Sequence, residues 1–312
     1  MVVVVLVVLS ILWVGVRGLL AGQAIAQGVE SATSLGAMLT SGDVSRAAPL
    51  VADLKSRAAE AHELTSDPVW RAIELLPVLG SNLTTARESI AALDGVVRGV
   101  VPEIVDLSST EQQLVLFDGP RAERIAGMAA AAPAIGGIAD GLQTAAKRVG
   151  SVDPSGNIAP LAAAFGQVDR AVASYARTGG TLDGVARVAL ALSAPDSPDA
   201  SLPWTLIVLD TTATNPIALV DFTAAGGAVV VGAARPRADP IATGDQVVAV
   251  DLDGLRFLLE RAGGVRVDGI GSVDADSINQ VVADAAALAT SPEEADQALA
   301  RVAAAVFESL FA

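Results

Sequence analysis

Apolar and polar positions follow three successive patterns along this chain. The first pattern, from residue 2 to residue 16, has no charged residue, and Ser10 is its one polar side chain. About 20 apolar residues in a helix span the roughly 30 Å hydrocarbon core of a bilayer. We therefore predict a transmembrane anchor over residues 1–22, although a buried core helix or strand would show the same run.

The residues that follow this run do not decide whether a signal peptidase removes it. Residues 24–26 read Ala-Ile-Ala, a pattern that signal peptidase cuts, but no basic residue precedes Val2 as it does in a signal peptide. We favour an uncleaved anchor with its N-terminus inside and the bulk of the chain outside, and we expect the natural start to lie upstream of Met1. Arg17 follows the run and is expected to extend to the lipid headgroups.

The second pattern covers residues 23–192, where apolar residues recur three and four positions apart, as in amphipathic helices. Asp67 followed by Pro68 predicts a helix start, because Asp is a good N-cap and Pro suits the first helical position. Gly and Pro pairs predict breaks between the later helices, among them Gly179-Gly180. Many core positions are Ala, so we predict an extracytoplasmic Ala-rich helical bundle or helical hairpins.

The third pattern begins after a linker. Residues 193–203, SAPDSPDASLP, contain three Pro, three Ser and two Asp, which favours an extended or flexible segment. Four short Val-rich runs bounded by turn residues then predict strands at 205–210, 217–222, 228–233 and 246–251. Predicted helices follow at 254–262, 275–288 and 292–311. The last domain, residues 204–312, is therefore predicted as a small mixed-sheet α/β domain.

Composition narrows the function classes. The 312 residues include no Cys, which excludes disulfides, thiolate metal sites and Cys nucleophiles. The net charge of −15 argues against nucleic acid as a partner and against electrostatic attraction to an anionic membrane surface. His62 is the one histidine, so a catalytic triad or a His-based metal site has little support.

Two polar clusters in the C-terminal part are candidate ion sites. Arg235 and Arg237 leave the predicted third strand, and two guanidinium groups can hold a phosphate bidentately; the plain alternative is an exposed charged loop. Asp251 and Asp253 are candidate cation ligands, but either can cap the helix predicted from Gly254, and we favour the cap.

Several stretches resemble a known bacterial envelope family. These are WVGVRGLLA at residues 13–21, LTSDPVWRAIELLPVLGSNLTTARESIAAL at 64–93, VVPEIVDL at 100–107 and QVVAVDLDGLRFLLERAGGVRVDG at 246–269. Together they are similar to the uncharacterised family called domain of unknown function 4012. The resemblance implies a single-pass envelope protein with no established activity.

The C-terminal part is more weakly similar to LytR-CpsA-Psr domains, which transfer lipid-linked glycopolymers to the cell wall. The similarity is carried by the first two predicted strands, by Pro-Arg-x-Asp at residues 236–239 and by DGLRFLLERAGGV. It implies phosphotransfer, with Arg235 and Arg237 holding pyrophosphate and Asp210 or Asp239 holding Mg. Members usually carry an arginine soon after the residue that corresponds to Asp210, whereas TTATNP follows here.

The sequence thus predicts a membrane-anchored cell-envelope protein, single-pass and extracytoplasmic in bulk. Its helical stalk and reduced α/β domain would bind a wall polymer or another envelope protein without catalysis and without a cofactor. The alternative is the LytR-CpsA-Psr-like phosphotransferase. The missing arginine and the roughly ten residues between the third and fourth predicted strands, where such domains have a long pocket-forming segment, favour the first interpretation.

Overall fold

A computed structural model describes residues 13–24, 27, 30–31, 34, 47–76, 79–109, 120–194, 203–209, 216–225, 228–236 and 246–312. The described chain combines many helices with a small mixed sheet, so the predicted mixture of helical and α/β parts is confirmed. The start of the predicted anchor, residues 1–12, and most of the predicted linker, residues 195–202, lie outside the described residues.

The helices and strands are numbered in chain order. Residues 13–24 are helical and form α1. The helices that precede the sheet are α2 (Ala47–Thr65), α3 (Pro68–Ile73), α4 (Gly80–Gly99), α5 (Val101–Ser109), α6 (Arg121–Gly150) and α7 (Ala159–Ser193). The remaining elements are β1 (Pro203–Leu209), β2 (Pro216–Ala225), β3 (Ala228–Pro236), β4 (Gln246–Val250), α8 (Leu252–Ala262), β5 (Val265–Val267), β6 (Gly271–Val273), α9 (Ile278–Leu288) and α10 (Pro292–Phe311).

The chain divides into two compact units. The first unit consists of Met1–Thr110 and Asp140–Ala176, and the second unit consists of Glu111–Ala139 and Arg177–Ala312. Both α6 and α7 contribute residues to each unit.

The first unit is a helical assembly with small residues at its close contacts. Val51, Leu54 and Ala58 of α2 form a buried cluster with Val97 of α4. A second cluster joins Ala145, Val149 and Phe165 of α6 and α7 to Ala92 of α4. Gly141 lies so near α4 and α5 that a β-carbon there would be 2.6 Å from Cγ2 of Val100. The predicted close packing of an Ala-rich helical bundle is thus confirmed in this unit.

The second unit is built on a sheet with the strand order β3-β2-β1-β4. β1 pairs antiparallel with β2 and parallel with β4, while β2 pairs antiparallel with β3. One face of the sheet is covered by α10, whose Phe307 ring contacts the ring of Phe222 in β2 in a tilted arrangement, with centroids 5.1 Å apart. The β5–β6 hairpin was not expected, since strands of three residues carry too few positions to show a period of two.

The predicted break at Gly179-Gly180 is wrong, because α7 is continuous from Ala159 to Ser193. This part of α7 packs against β4, where a β-carbon on Gly184 would lie 2.5 Å from Cγ1 of Val248. Burial against the sheet stabilises the helix more than two glycines weaken it, since each glycine costs only about 1 kcal/mol.

Among the described residues, α6 is the one helix long and apolar enough to cross a bilayer by length and composition. Part of its surface is nevertheless buried inside the protein, including Met128, Ala131, Ala145 and Val149. Burial inside protein is the behaviour of a core helix, so α6 gives only weak support for a membrane span.

Candidate functional site

The structure describes only part of the predicted phosphate site. Asp210, Arg237 and Asp239 lie outside the described residues. Arg235 belongs to β3, where its backbone pairs with Leu219, but its side chain is also outside the described part. The proposed roles of these four residues therefore stay predictions.

The strand register shows at which end of the sheet the strands that precede these residues finish. Val208 of β1 pairs with Ala218 of β2 and with Val250 of β4, and Ala218 pairs with Pro236 of β3. The ends of β1, β3 and β4 therefore share one edge of the sheet. Neighbouring strands lie about 4.8 Å apart, so the ends of β1 and β3 are separated by about 10 Å.

Asp251 is a carboxylate that the structure does describe at this edge. It follows β4 directly and is fully buried. Its Oδ1 accepts a hydrogen bond from the backbone N–H of Gly254 at 2.8 Å, and Asp251 is the N-cap of α8. Its Oδ2 accepts a hydrogen bond from Nε of Arg177 at 2.5 Å. The cap interpretation of Asp251 is confirmed, and both carboxylate oxygens are bonded to protein.

Sequence reasoning missed Arg177, the counter-charge of Asp251. Arg177 stands 74 residues earlier in α7, and its side chain is 30% exposed. One helical turn later, the Thr181 hydroxyl bonds the carbonyl oxygens of Arg177 at 3.2 Å and Ala249 at 3.0 Å. In the sequence, the cluster is marked only by Arg177 and Thr181, two polar residues four positions apart in a largely apolar segment. This cluster fixes α7, β4 and α8 to one another.

No group of three or more His, Asp or Glu side chains suited to a metal occurs in the described part of the chain. His62 lies in the last turn of α2, with Nε2 3.4 Å from Oγ of Ser66. That contact joins His62 to the residue that follows the end of α2.

A groove of about 370 Å³ opens between α9, α10 and the turn of the β5–β6 hairpin. Its apolar lining includes Ile270, Val281, Ala285, Leu288 and Ala298, and its charged lining comprises Asp284, Glu294 and Arg301. Hydrogen bonds from the backbone N–H and the hydroxyl of Thr290 lower the pKa of Glu294. An apolar wall with a few charged groups is the usual composition of a ligand site.

The first unit contains a second polar cluster, where α1 meets the end of α2. Arg17 donates from Nε to the carbonyl oxygen of Leu64 at 2.9 Å and from a terminal nitrogen to that of Glu63 at 3.1 Å. Its guanidinium also lies 3.3 Å from Oδ2 of Asp67. A cation at the last carbonyls of a helix is favourable. Arg17 is therefore bonded to protein, and the expectation that it extends to lipid headgroups is wrong.

Asp67 connects α1 with α3. It is the N-cap of α3, as predicted, and accepts a hydrogen bond from the backbone N–H of Trp70 at 2.8 Å. Its other oxygen accepts one from Nε1 of Trp13 at 3.2 Å. Burial alone would raise the pKa of Asp67, but these hydrogen bonds and the charge of Arg17 outweigh burial and lower the pKa.

Trp70 completes this junction cluster, which we define as Trp13, Arg17, Asp67 and Trp70. The indole of Trp70 is buried among Val14, Ile73 and Leu83, and its Nε1 donates to the carbonyl oxygen of Leu83 at 3.2 Å. Both segments of the cluster were singled out in the sequence for their resemblance to the envelope family. Their contact was not foreseen, since Trp13 and Asp67 are 54 residues apart.

The chain matches no protein-family model, no curated protein and no solved structure. The resemblances to domain of unknown function 4012 and to LytR-CpsA-Psr domains thus stay predictions. Support for a function therefore comes from the contacts of the junction cluster and from the groove between α9 and α10.

Proposed function

We propose that this chain is a single-pass membrane-anchored protein of the cell envelope, with its bulk outside the membrane. The observation that carries this proposal is the charge-free run that begins at residue 2, and the junction cluster ties the helix that continues this run to the first unit. A charge-free run at residues 2–12 leads into α1, and α1 is bonded through Arg17 to α2. Ala21 and Ala24 of α1 are buried against Ala61 and Ile90. An anchor followed by so many contacts would hold the first unit firmly at the membrane.

The second unit would supply the binding function, with a wall polymer or an envelope protein as its ligand. The groove between α9 and α10 supports this role, because Asp284, Glu294 and Arg301 can bond to hydroxyl or charged groups beside an apolar wall. The buried carboxylate of Asp251 is bonded to Arg177 and to the start of α8, which suits a structural role.

The first test is the membrane association of the full chain. We expect the protein to sediment with membranes, to resist extraction by high salt and to be released by detergent. Added protease should digest it in intact spheroplasts if the bulk is outside. The matched variant Val5→Asp/Val8→Asp should be found in the soluble fraction, because each aspartate at the centre of a span costs about 3 kcal/mol. Recovery of the unaltered chain as freely soluble protein would refute the anchor.

The phosphotransferase remains a second candidate because the strands preceding Asp210 and Arg237 end at the same edge of the sheet. It predicts that the full chain in detergent binds a short polyprenyl pyrophosphate, more tightly with magnesium. Each charge-assisted contact contributes about 1.5–3 kcal/mol. Arg235→Ala/Arg237→Ala should then weaken binding by more than about tenfold.

The matched control for that titration removes two other arginines of the same unit, Arg256→Ala/Arg261→Ala. We expect the unaltered chain to show no saturable binding. Saturable binding that is lost in the Arg235/Arg237 variant and kept in the control would instead establish the phosphotransferase site.

A further inference from the structure

Helix α9 of the second unit is apolar but largely exposed. Its eleven residues include only three polar ones, Asn279, Gln280 and Asp284. Ile278 is nevertheless its one buried residue. Leu288 at its end is 83% exposed, and its other exposed apolar residues are Ala283, Ala286 and Ala287. An exposed apolar surface of this kind marks a region that contacts a partner.

The helix α9 forms one wall of the groove between α9, α10 and the turn of the β5–β6 hairpin. Along this wall, Val281 and Leu288 are seven residues apart, and Glu294 and Arg301 are seven residues apart along the wall formed by α10. Seven residues of helix are about 10 Å long, or roughly two turns. The groove, with a volume of about 370 Å³, therefore has the length of about two turns of a bound helix.

The inner wall of the groove is aliphatic. A recess of about 10 Å³ beside it shares four residues with the groove, and all eight residues that line the recess are apolar. A hydroxyl group buried there would lose its hydrogen bonds to water without gaining others. None of the described residues that line the groove is aromatic, so a sugar ring would find no flat face on which to stack. Aliphatic side chains of a protein thus fit this wall better than a wall polymer does.

The segment that forms the groove is strongly acidic. Residues 268–301 carry seven carboxylate side chains and one basic residue, Arg301. Asp284 and Glu294 lie on the groove itself, with Arg301 as their counter-charge. Two carboxylates and one guanidinium group leave the groove with a net negative charge. Such a groove attracts a cationic partner and repels a second copy of this acidic chain.

We propose that this groove binds an amphipathic helix of another envelope protein, with aliphatic side chains along α9 and with Lys or Arg beside Asp284 and Glu294. This inference rests on the proposed binding function of the second unit and names the class of its ligand. Amphipathic helices bind apolar grooves through residues at positions i, i+3 or i+4, and i+7. About two turns of helix supply these anchors, which matches the length of the groove.

The test measures the binding of short fluorescent helices to the full chain in a nonionic detergent. The main probe is an amphipathic helix of Leu and Lys with about 14 residues, or roughly four turns. Its fluorescence anisotropy is measured during titration and corrected with protein-free detergent. Two matched probes replace every Leu with Ser or every Lys with Glu. We expect the Leu/Lys probe to bind saturably and the matched probes not to bind, because the groove requires both an aliphatic face and a positive charge.

Variants of the chain locate the binding site. Leu288→Ser and Asp284→Lys change exposed residues of the groove, and each should weaken binding of the Leu/Lys probe by about tenfold. The matched controls change exposed residues of the same unit outside the groove. Val230→Ser removes an apolar side chain of β3, and Glu308→Lys reverses a charge on α10. Both controls should bind the probe as the unaltered chain does.

Each other outcome contradicts the inference in its own way. Equal weakening by Asp284→Lys and Glu308→Lys would show attraction to the acidic chain in general and would refute the groove. Binding of cell-wall polysaccharide fragments that Leu288→Ser abolishes would refute the helix as ligand but keep the binding function. Binding of neither the probe nor the polysaccharide would refute both. A dimer that Leu288→Ser dissociates in the ultracentrifuge would show that a second copy covers the groove.

Discussion

The variant Arg177→Ala is expected to destabilise the second unit by about 3 kcal/mol. The fully buried Asp251 would keep its hydrogen bond from the backbone N–H of Gly254. It would lose the guanidinium group of Arg177, whose Nε lies 2.5 Å from Oδ2 of Asp251. Removing one partner of a buried ion pair costs about 3–5 kcal/mol, and the partial exposure of Arg177 favours the lower end of that range. Hydrogen exchange measured on peptides of β4 and α8 should become roughly 100-fold faster for amides that exchange through global opening.

Two further variants show whether the buried charge is the cause. Arg256→Ala removes an exposed arginine whose pair with Glu260 is 3.9 Å long, and it should change stability by under about 0.5 kcal/mol. Arg177→Leu/Asp251→Asn removes both charges and keeps a side chain that can cap α8, so it should cost less than Arg177→Ala alone. If the amides of β4 and α8 exchange equally slowly in Arg177→Ala and in Arg256→Ala, the stability of the second unit does not depend on the pairing of Asp251 with Arg177.

The features that the sequence predicted well depend on nearby residues. Asp67 followed by Pro68 marks a helix start because the cap bonds a backbone N–H only three residues later. Gly263 ends α8 with a φ of 81°, a conformation that favours glycine. The four strands of the main sheet were located for the same reason, since each is a short Val-rich run bounded by turn residues.

The features that the sequence did not predict depend on distant residues. Arg177 and Asp251 meet across 74 positions, and Trp13 and Asp67 meet across 54 positions. No local pattern specifies such pairs, because they form only when packed helices and strands bring them together. For the predicted phosphate site, the sequence identified Arg235 at the end of a strand. Only the strand register shows that this strand ends at the same edge of the sheet as β1 and β4.

The variant Trp70→Ala is expected to destabilise the first unit by about 3–5 kcal/mol, the usual cost of truncating a large buried aromatic side chain. The indole is 2% exposed and packs with Val14 and Leu83 on two different helices. Its N–H donates to the carbonyl oxygen of Leu83. Hydrogen exchange on peptides of α2 and α4 should therefore become faster, and peptides of β1 and β4 should keep their protection because Trp70 belongs to the other unit.

The matched variant Trp13→Ala removes an exposed indole and one hydrogen bond to Asp67, so it should cost only about 1 kcal/mol. The two variants also differ in what they do to α1. Trp70 packs with Val14, and a β-carbon on Gly18 would lie 3.7 Å from its indole, so Trp70→Ala should release the first turns of α1 as well. If α1 stays protected while α2 and α4 lose protection, Arg17 and the contacts of Ala21 and Ala24 hold the helix without Trp70. That outcome would show that α1 is held to the first unit by the ion pair of Arg17 and Asp67 rather than by the indole of Trp70.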